Sequence, residues 1–288
     1  MYDLIITYAW KTGDPGVIFI DEVNRRNPTS HVGNIEATNP CGEQPLHPYD
    51  SCNLGSINLG VMVKKKHGNY SIDWDNLCQT VNTGVHFLDN VIDANNYRIP
   101  EVEKVTKQNR RIGLGVMGLS DLLCLMGILY DTEKALEEVN WVLEKLARER
   151  GFWSEALIEK TAKNGKVRGL DQVPEDIQKV FVTALEIDHE WHVRMQGAFQ
   201  NHCDNAVSKT INFPMDAPVE NVRSAFQVAH QLKCKGITVY PYGSKPEQVL
   251  NIGEIERKRQ AQTTPSPFVV AESEFAGGCS DGTCPAPS

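Results

Sequence analysis

Three residues near the start of the chain carry side chains suited to chemistry. Asn39, Cys41 and Glu43 stand at alternate positions in ATNPCGEQPL, so an extended stretch would point all three the same way. An amide, a thiol and a carboxylate on one face can orient a sugar hydroxyl, attack a substrate and move a proton. The prolines and glycine among them are typical of a shaped loop. The alternative is a loop with an incidental thiol.

The other cysteines give weaker signals. Eight cysteines in 288 residues are too few for a disulfide-stapled secreted protein. Cys78 and Cys124 fall in apolar helical patterns, where a thiol usually acts as a small core hydrophobe. Cys279 and Cys284 form the one close pair and stand without other ligands, so no metal site is predicted.

Two further motifs have ordinary interpretations. GLGVMG places Gly113, Gly115 and Gly118 in the spacing of a dinucleotide-binding turn, which requires a preceding strand and a following helix. The segment before it, KVTKQNRR, is basic and polar, so we favour glycines that let a helix pack closely against its neighbours. A nicotinamide-dependent oxidoreductase is therefore the weakest hypothesis. His189 and His192 lack the i, i+4 spacing of a zinc protease, which favours solvated or hydrogen-bonded histidines.

Hydrophobic periodicity predicts the elements around these residues. Helical spacing predicts helices at about 73–95, from the N-cap candidate Asp131 toward 165, and at 219–229. β-Branched runs predict strands at 16–20 and 236–240. Strands separated by long helices indicate an α/β fold with parallel pairing.

Composition excludes several classes of protein. The chain has 29 basic and 37 acidic residues, a net charge of −8 and no basic stripe, which argues against binding of duplex nucleic acid. No run of about 20 apolar residues could span a membrane, and no signal peptide begins the sequence. We therefore expect a soluble cytoplasmic protein that binds no membrane.

Several blocks together carry a family resemblance. NPCGEQPL with SCNLGSINL resembles the active-site finger loop of ribonucleotide reductases. RRIGLGVMGLSDLL, HVRMQ, DNAVSKTINFP and CKGITVY resemble further blocks of that family in the same order. Within the family, these sequence motifs are most similar to those of the adenosylcobalamin-dependent class. The adjacent tyrosines of the iron-dependent class are not matched, because Pro241 separates Tyr240 from Tyr242.

The resemblance implies a fold and a set of partners. Residues 1–253 would form the C-terminal half of a ten-stranded α/β barrel with a central finger loop, and residues 254–288 a flexible tail. The first half-barrel, the partner thiol of Cys52 and a regulatory nucleotide site would belong to an N-terminal half. We expect a catalytic portion that is active only with that half; the alternative is a catalytically inactive fragment that serves as an assembly partner.

The resemblance also implies roles for the loop residues. Cys41 would carry a thiyl radical that abstracts the 3′ hydrogen of the ribose. Glu43 would take the 3′-hydroxyl proton, Asn39 would hold the sugar, and Cys52 would be one of two reducing thiols. Adenosylcobalamin would start the reaction on a ribonucleoside di- or triphosphate. The finger-loop residues expected to bind substrate are Asn39, Pro40, Cys41, Gly42 and Glu43.

Two more segments complete the implied machinery. The stretch AVSKT would bind the substrate phosphates through hydroxyls, a lysine and backbone N–H groups; its ordinary interpretation is a turn. Its residues are Ala206, Val207, Ser208, Lys209 and Thr210. Cys279 and Cys284 would return reducing equivalents from a thioredoxin-like protein by thiol–disulfide exchange; the alternatives are a disordered remnant or a chance metal site.

Overall fold

A computed structural model describes residues 1–66, 69–130, 141–154, 156–157, 160–161 and 166–245. The helices described are α1 Tyr2–Thr12, α2 Ile20–Arg25, α3 Trp74–Ala94, α4 Pro100–Asn109, α5 Leu119–Met126, α6 Trp141–Arg150, α7 Glu175–Val180, α8 His189–Gln200 and α9 Val219–Gln231. The strands are β1 Val17–Ile18, β2 Ala37–Thr38, β3 Pro45–Leu46, β4 Asn53–Asn58, β5 Val63–Lys66, β6 Asn69–Ile72, β7 Ile112–Met117, β8 Thr210–Phe213 and β9 Gly236–Pro241. None of the helices in these ranges is long and apolar enough to cross a bilayer.

The strands form two parallel pairs and two hairpins. β4 pairs in parallel with β7, and β8 pairs in parallel with β9. β1 extends the second pair, in the order β1–β9–β8, and is antiparallel to β9. The antiparallel hairpins are β2–β3 and β5–β6. The predicted α/β fold with parallel pairing is confirmed, with an antiparallel strand at one edge.

The largest core lies between the three-stranded sheet and two helices. Ile6 of α1 and Val222 of α9 are fully buried against Ile211 of β8 and Val239 of β9. Burial of apolar side chains contributes roughly 1.5–3 kcal/mol each. This core fixes β8 and β9, and with them the segment that leads into β8.

The predicted elements differ from the structure in detail. The strand expected at 16–20 stops at Ile18, because α2 begins at Ile20 with two acidic residues in its first turn, where they suit the helix dipole. Within α3 the predicted apolar face is buried at Leu88 and Ile92 but exposed at Val81 and Val85. The apolar spacing therefore identified the apolar face of α3, but it did not show that only the C-terminal part of this face is buried.

The glycine motif lies on a strand, so its assignment to a helix was wrong. Gly113 and Gly115 belong to β7 and are paired with β4. A Cβ at Gly113 would overlap the side chains of Gln44 and Leu54. Gly118 adopts φ +61° at the start of α5, a conformation that favours glycine. The glycines thus allow close packing around a paired strand.

Of the two cysteines assigned to the core, one is placed correctly. Cys124 is buried at 3% exposure, whereas Cys78 is exposed on α3. Part of the helix predicted from Asp131, and the whole of the predicted tail 254–288 with Cys279 and Cys284, lie outside the described residues.

Candidate active site

The finger loop, residues 39–44, is the tip of the β2–β3 hairpin. The Asn39 amide N–H donates to the Gln44 carbonyl at 3.3 Å, and the Gly42 N–H donates to the Asn39 carbonyl at 3.0 Å. Gly42 has φ +80°, which a side chain would disfavour. The expectation of an extended stretch was wrong, because the chain turns here and leaves Cys41 exposed at the tip.

The turn brings the amide and the carboxylate together. Asn39 Nδ2 donates to Glu43 Oε1 at 2.7 Å, and Asn39 Oδ1 accepts from the Gln44 N–H at 3.0 Å. Glu43 Oε2 is buried and has no hydrogen-bond partner among the described residues. The carboxylate is therefore oriented through one oxygen, while the other can accept a proton or a hydrogen bond.

A second loop, which we call the anion loop (residues 206–210), lies against the finger loop. The Ala206 N–H donates to the Glu43 carbonyl at 3.0 Å. A cavity of about 180 Å³ lies between the two loops. Its lining consists of Gly16, Val17, Ile18, Thr38, Pro40, Cys41, Gly42, Gln196, Val207, Ser208, Lys209, Gly236, Ile237 and Thr238.

Most of the residues expected at the site meet there. Pro40, Cys41 and Gly42 line the cavity from the finger loop, and Val207, Ser208 and Lys209 line it from the anion loop. Asn39, Glu43, Ala206 and Thr210 are not among the lining residues. Lys209 Nζ donates to the Thr210 carbonyl at 3.1 Å. A cysteine, a serine and a lysine therefore line one small cavity.

Gln196 of α8 supports this space and was missed by the sequence analysis. Its Nε2 donates to the carbonyls of Val207 at 3.0 Å and Gly236 at 2.7 Å, and the residue is 1% exposed. Its Oε1 is buried and unpartnered among the described residues. The block HVRMQ contained this glutamine, but helical spacing alone could not show that it reaches the anion loop.

A buried polar network ties the finger loop to the start of β7. Asn205 Nδ2 donates to Gln44 Oε1 at 2.8 Å, and Arg111 Nη1 donates to Asn205 Oδ1 at 3.4 Å. Arg111 Nε also donates to Asp50 Oδ2 at 2.8 Å, and this ion pair is almost completely buried. Breaking such a pair from one side is strongly destabilising, because the remaining charge stays buried.

Cys52 is half-buried just before β4 and does not line the Cys41 cavity. Burial raises the pKa of its thiol to about 11; the Asp50 carboxylate acts in the same direction and Arg111 opposes it. The Sγ donates to the Asn53 carbonyl at 3.3 Å. The thiol is therefore protonated at neutral pH.

The histidine motif is structural at His192. Its Nδ1 lies 3.0 Å from the Tyr130 hydroxyl and its Nε2 lies 3.0 Å from the Ala184 carbonyl. Burial lowers its pKa to about 4. Within the described residues, no group of three or more His, Cys, Asp or Glu side chains is placed to hold a metal ion.

Comparison with known proteins identifies the family. The family description "Ribonucleotide reductase, barrel domain" matches residues 1–147 and 136–240. The vitamin B12-dependent ribonucleoside-diphosphate reductase of Thermoplasma acidophilum is 37% identical over 379 aligned positions, which cover 99% of this chain and 49% of that protein. The enzyme of the same name from Mycobacterium tuberculosis H37Rv is 36% identical, with coverage of 99% and 50%.

Solved structures agree on the fold. The class Id ribonucleotide reductase alpha subunit of Actinobacillus ureae superposes with a TM-score of 0.69 at 20% identity, covering 84% of this chain and 61% of that one. The chain spans about half the length of these two curated relatives, which it matches over 99% of its own sequence. The expectation drawn from the finger-loop and anion-loop motifs is confirmed: this chain belongs to the ribonucleotide reductase family and contains part of its barrel domain.

Proposed function

We propose that this chain provides the substrate-facing part of a ribonucleotide reductase that converts ribonucleotides to 2′-deoxyribonucleotides through a thiyl radical on Cys41. The observation that carries the proposal is the cavity shared by Cys41 and Ser208, with the Asn39–Glu43 pair beside it. Because the named relatives are ribonucleoside-diphosphate reductases, we propose a diphosphate substrate. The other half of the barrel would come from an N-terminal half of the reductase.

The finger loop suits the first step. The sulfur radical of Cys41 takes the 3′ hydrogen atom, so an S–H bond forms as the C3′–H bond breaks. Glu43 Oε2, which has no hydrogen-bond partner in the part of the chain that the structure describes, then accepts the proton of the 3′-hydroxyl. Asn39 keeps the carboxylate in place through its 2.7 Å hydrogen bond to Oε1.

The protonated thiol of Cys52 suits the reductive step. Departure of the 2′-hydroxyl as water and formation of the new C2′–H bond together consume two protons and two electrons. Two thiols supply both when they are oxidised to a disulfide, and a thiol with a pKa of about 11 retains its proton at neutral pH. We propose Cys52 as one of these thiols, with its partner on the N-terminal half. Cys279 and Cys284 would then re-reduce the disulfide with electrons from a thioredoxin-like protein in the cytoplasm.

The anion loop suits the phosphate end of the substrate. The Ser208 hydroxyl, the Lys209 ammonium group and the backbone N–H groups beside them are donors for an anion. The cavity of about 180 Å³ is smaller than the roughly 300 Å³ at which drug-sized ligand pockets begin. It therefore fits part of a nucleotide, and the completed barrel would enclose the rest.

The exposed tip is compatible with a bulky radical cofactor. Cys41 is an exposed residue at the tip of the finger loop. Adenosylcobalamin, when bound, would supply the radical that passes to this sulfur. Pro241, the last residue of β9, separates Tyr240 from Tyr242, so the adjacent tyrosines of a protein-borne relay are not matched.

Reconstitution tests the proposal. The chain would be mixed with an N-terminal half of a vitamin B12-dependent relative, adenosylcobalamin, a ribonucleoside diphosphate and a small dithiol, and deoxynucleotide would be measured. We expect product only from the complete mixture, and none with Cys41→Ser. Cys78→Ser, at an exposed position of α3, is the matched control and should retain activity. Turnover by Cys41→Ser would refute the radical role, whereas stable assembly without turnover by the unaltered chain would favour the inactive assembly partner.

A further inference from the structure

Gln44 is the last residue of the finger loop, and it is fixed through both its backbone and its side chain. The residue is 5% exposed. Its N–H donates to Asn39 Oδ1 at 3.0 Å, and its carbonyl accepts from the Asn39 N–H at 3.3 Å. Its side-chain Oε1 accepts from Asn205 Nδ2 at 2.8 Å. Gln44 is therefore held by the residue that orients Glu43 and by the segment that precedes the anion loop.

A chain of donors fixes which way the Gln44 amide faces. Arg111 is held by its buried ion pair with Asp50 and carries only donors, so the atom of Asn205 that it contacts at 3.4 Å is the acceptor Oδ1. The amide nitrogen of Asn205 then faces Gln44, whose contacting atom is the acceptor Oε1. The Gln44 Nε2 group remains as a donor, and no acceptor for it lies among the described residues.

This remaining donor lies beside the Cys52 thiol. An ideal Cβ built on Gly113 would be 2.5 Å from Gln44 Nε2 and 3.6 Å from Cys52 Sγ. The Gln44 amide thus occupies the space that a side chain at Gly113 would take, and the Cys52 sulfur borders that space. The Glu43 carboxylate contributes to the raised pKa of the same thiol, so the proposed base lies within electrostatic range of it.

A fixed donor at this point suits the 2′ side of the ribose. In the proposed reaction the C2′–O bond breaks near Cys52, and the oxygen leaves as water. Negative charge develops on that oxygen as the bond lengthens, and an N–H group that is already in place stabilises it without reorganisation. A buried amide donor that lacks an acceptor is also costly, and a substrate oxygen would remove that cost.

We infer that Gln44 is a further catalytic residue, whose Nε2 donates a hydrogen bond to the 2′-oxygen of the ribose as that oxygen departs. This inference rests on the proposed function. The protons and electrons of the step come from Cys52 and its partner thiol, so Gln44 keeps its own hydrogen atoms. Asn205 and Gly113 are positioning residues here, because the first anchors Oε1 and the second leaves room for Nε2.

Alkylation of Cys52 in the full chain by itself tests the placement of the amide. Gln44→Ala removes a side chain that borders the thiol, so water should reach Cys52 and its reaction with iodoacetamide at pH 8 should accelerate by about tenfold. Gln44→Met keeps a side chain of similar size, and its rate should stay within about threefold of the original. Gln227→Ala, at an exposed position of α9, is the control. An unchanged rate in Gln44→Ala would contradict the placement.

Two readouts in the reconstituted enzyme separate the two stages of the reaction. Tritium at C3′ of the ribonucleoside diphosphate passes to the Cys41 sulfur and exchanges into water, which reports the first stage. Deoxynucleotide reports the completed reduction. We expect Gln44→Met to lower kcat for deoxynucleotide by at least about tenfold, while tritium release stays within about twofold. A residue that only packs would tolerate methionine.

A matched pair of glycine variants tests the space that the amide occupies. Gly113 and Gly115 lie on the same face of β7, and neither has a positive φ. A Cβ at Gly115 would lie 3.7 Å from its nearest neighbour, Ser56 Oγ, which is an ordinary contact. Gly113→Ala is combined with Leu54→Ala, which removes the other side chain in the way. The double variant should reproduce the defect of Gln44→Met, whereas Gly115→Ala and Leu54→Ala should not.

Three results would overturn the inference. They are full reduction by Gln44→Met, equal losses in the two glycine variants, and parallel loss of tritium release and product in Gln44→Met, because Gln44 would then act on the finger loop as a whole. Failure of the proposed function has a different signature, namely no tritium release from the unaltered enzyme. The methionine variant conserves volume, so the activity test does not depend on the folding of Gln44→Ala.

Discussion

The clearest quantitative prediction concerns the thiol of Cys52. Its pKa is raised from about 9 to about 11 by burial, with a further contribution from Asp50. Because only the thiolate reacts with iodoacetamide, two pKa units lower the reactive fraction by about 100-fold at pH 8. We expect Cys52 to alkylate about 100-fold more slowly in the folded chain than in guanidinium chloride, as measured by quenched alkylation and peptide mass spectrometry.

The pH dependence separates electrostatics from simple shielding. A shielded thiol with an ordinary pKa would react slowly at every pH, but its rate would level off near pH 9. A thiol stabilised in its protonated form should still gain rate between pH 9 and pH 11, by about 50-fold in total, because only about 1% of it is ionised at pH 9 and about half at pH 11. A midpoint near 9 in the folded chain would refute the stated environment of Cys52 and its assignment as a protonated reductant.

Three other variants test the framework around the site. The free energy of unfolding should fall by about 1.4 kcal/mol per pH unit below 6.5 toward pH 4, because the unfolded chain protonates His192 while the folded chain does not; this slope should shrink in His192→Gln. Asp50→Asn should destabilise the chain by about 3–5 kcal/mol in denaturant titrations, whereas Asp176→Asn, in an exposed ion pair, should cost less than about 1 kcal/mol; equal losses would contradict the buried pair. In the reconstituted enzyme, Gln196→Met should raise KM more than it lowers kcat, and the exposed Gln227→Met should change neither; a loss confined to kcat would argue against support of the anion loop.

Local sequence patterns predicted the elements that bury one regular face. α9 and β9 were placed correctly because their apolar residues follow the helical and strand periods and pack into the same core. β7 was assigned to a helix because its glycines and the polar run before it hide the strand pattern. Its strand conformation depends on pairing with β4 and on close approach of Gln44, which no local pattern encodes.

The site shows the same limit. The motif around Cys41 and the anion-loop motif were recognisable as short strings, and both loops line one cavity. The contacts that join them were not, because Gln44 and Asn205 are 161 positions apart in the chain. Nor could the sequence show that Gln196 holds the Val207 carbonyl, since the neighbouring glutamine on the same helix, Gln200, is equally buried and bonds elsewhere.

The hydrogen bond from the Ala206 amide to the Glu43 carbonyl has a mechanical consequence. It joins the backbone of the anion loop, which would bind the substrate phosphates, to the backbone of Glu43, which would accept the proton of the 3′-hydroxyl. A shift of one is therefore transmitted to the other without any intervening side chain. The backbone of the proposed base is thus held in register with the loop that would bind the phosphates.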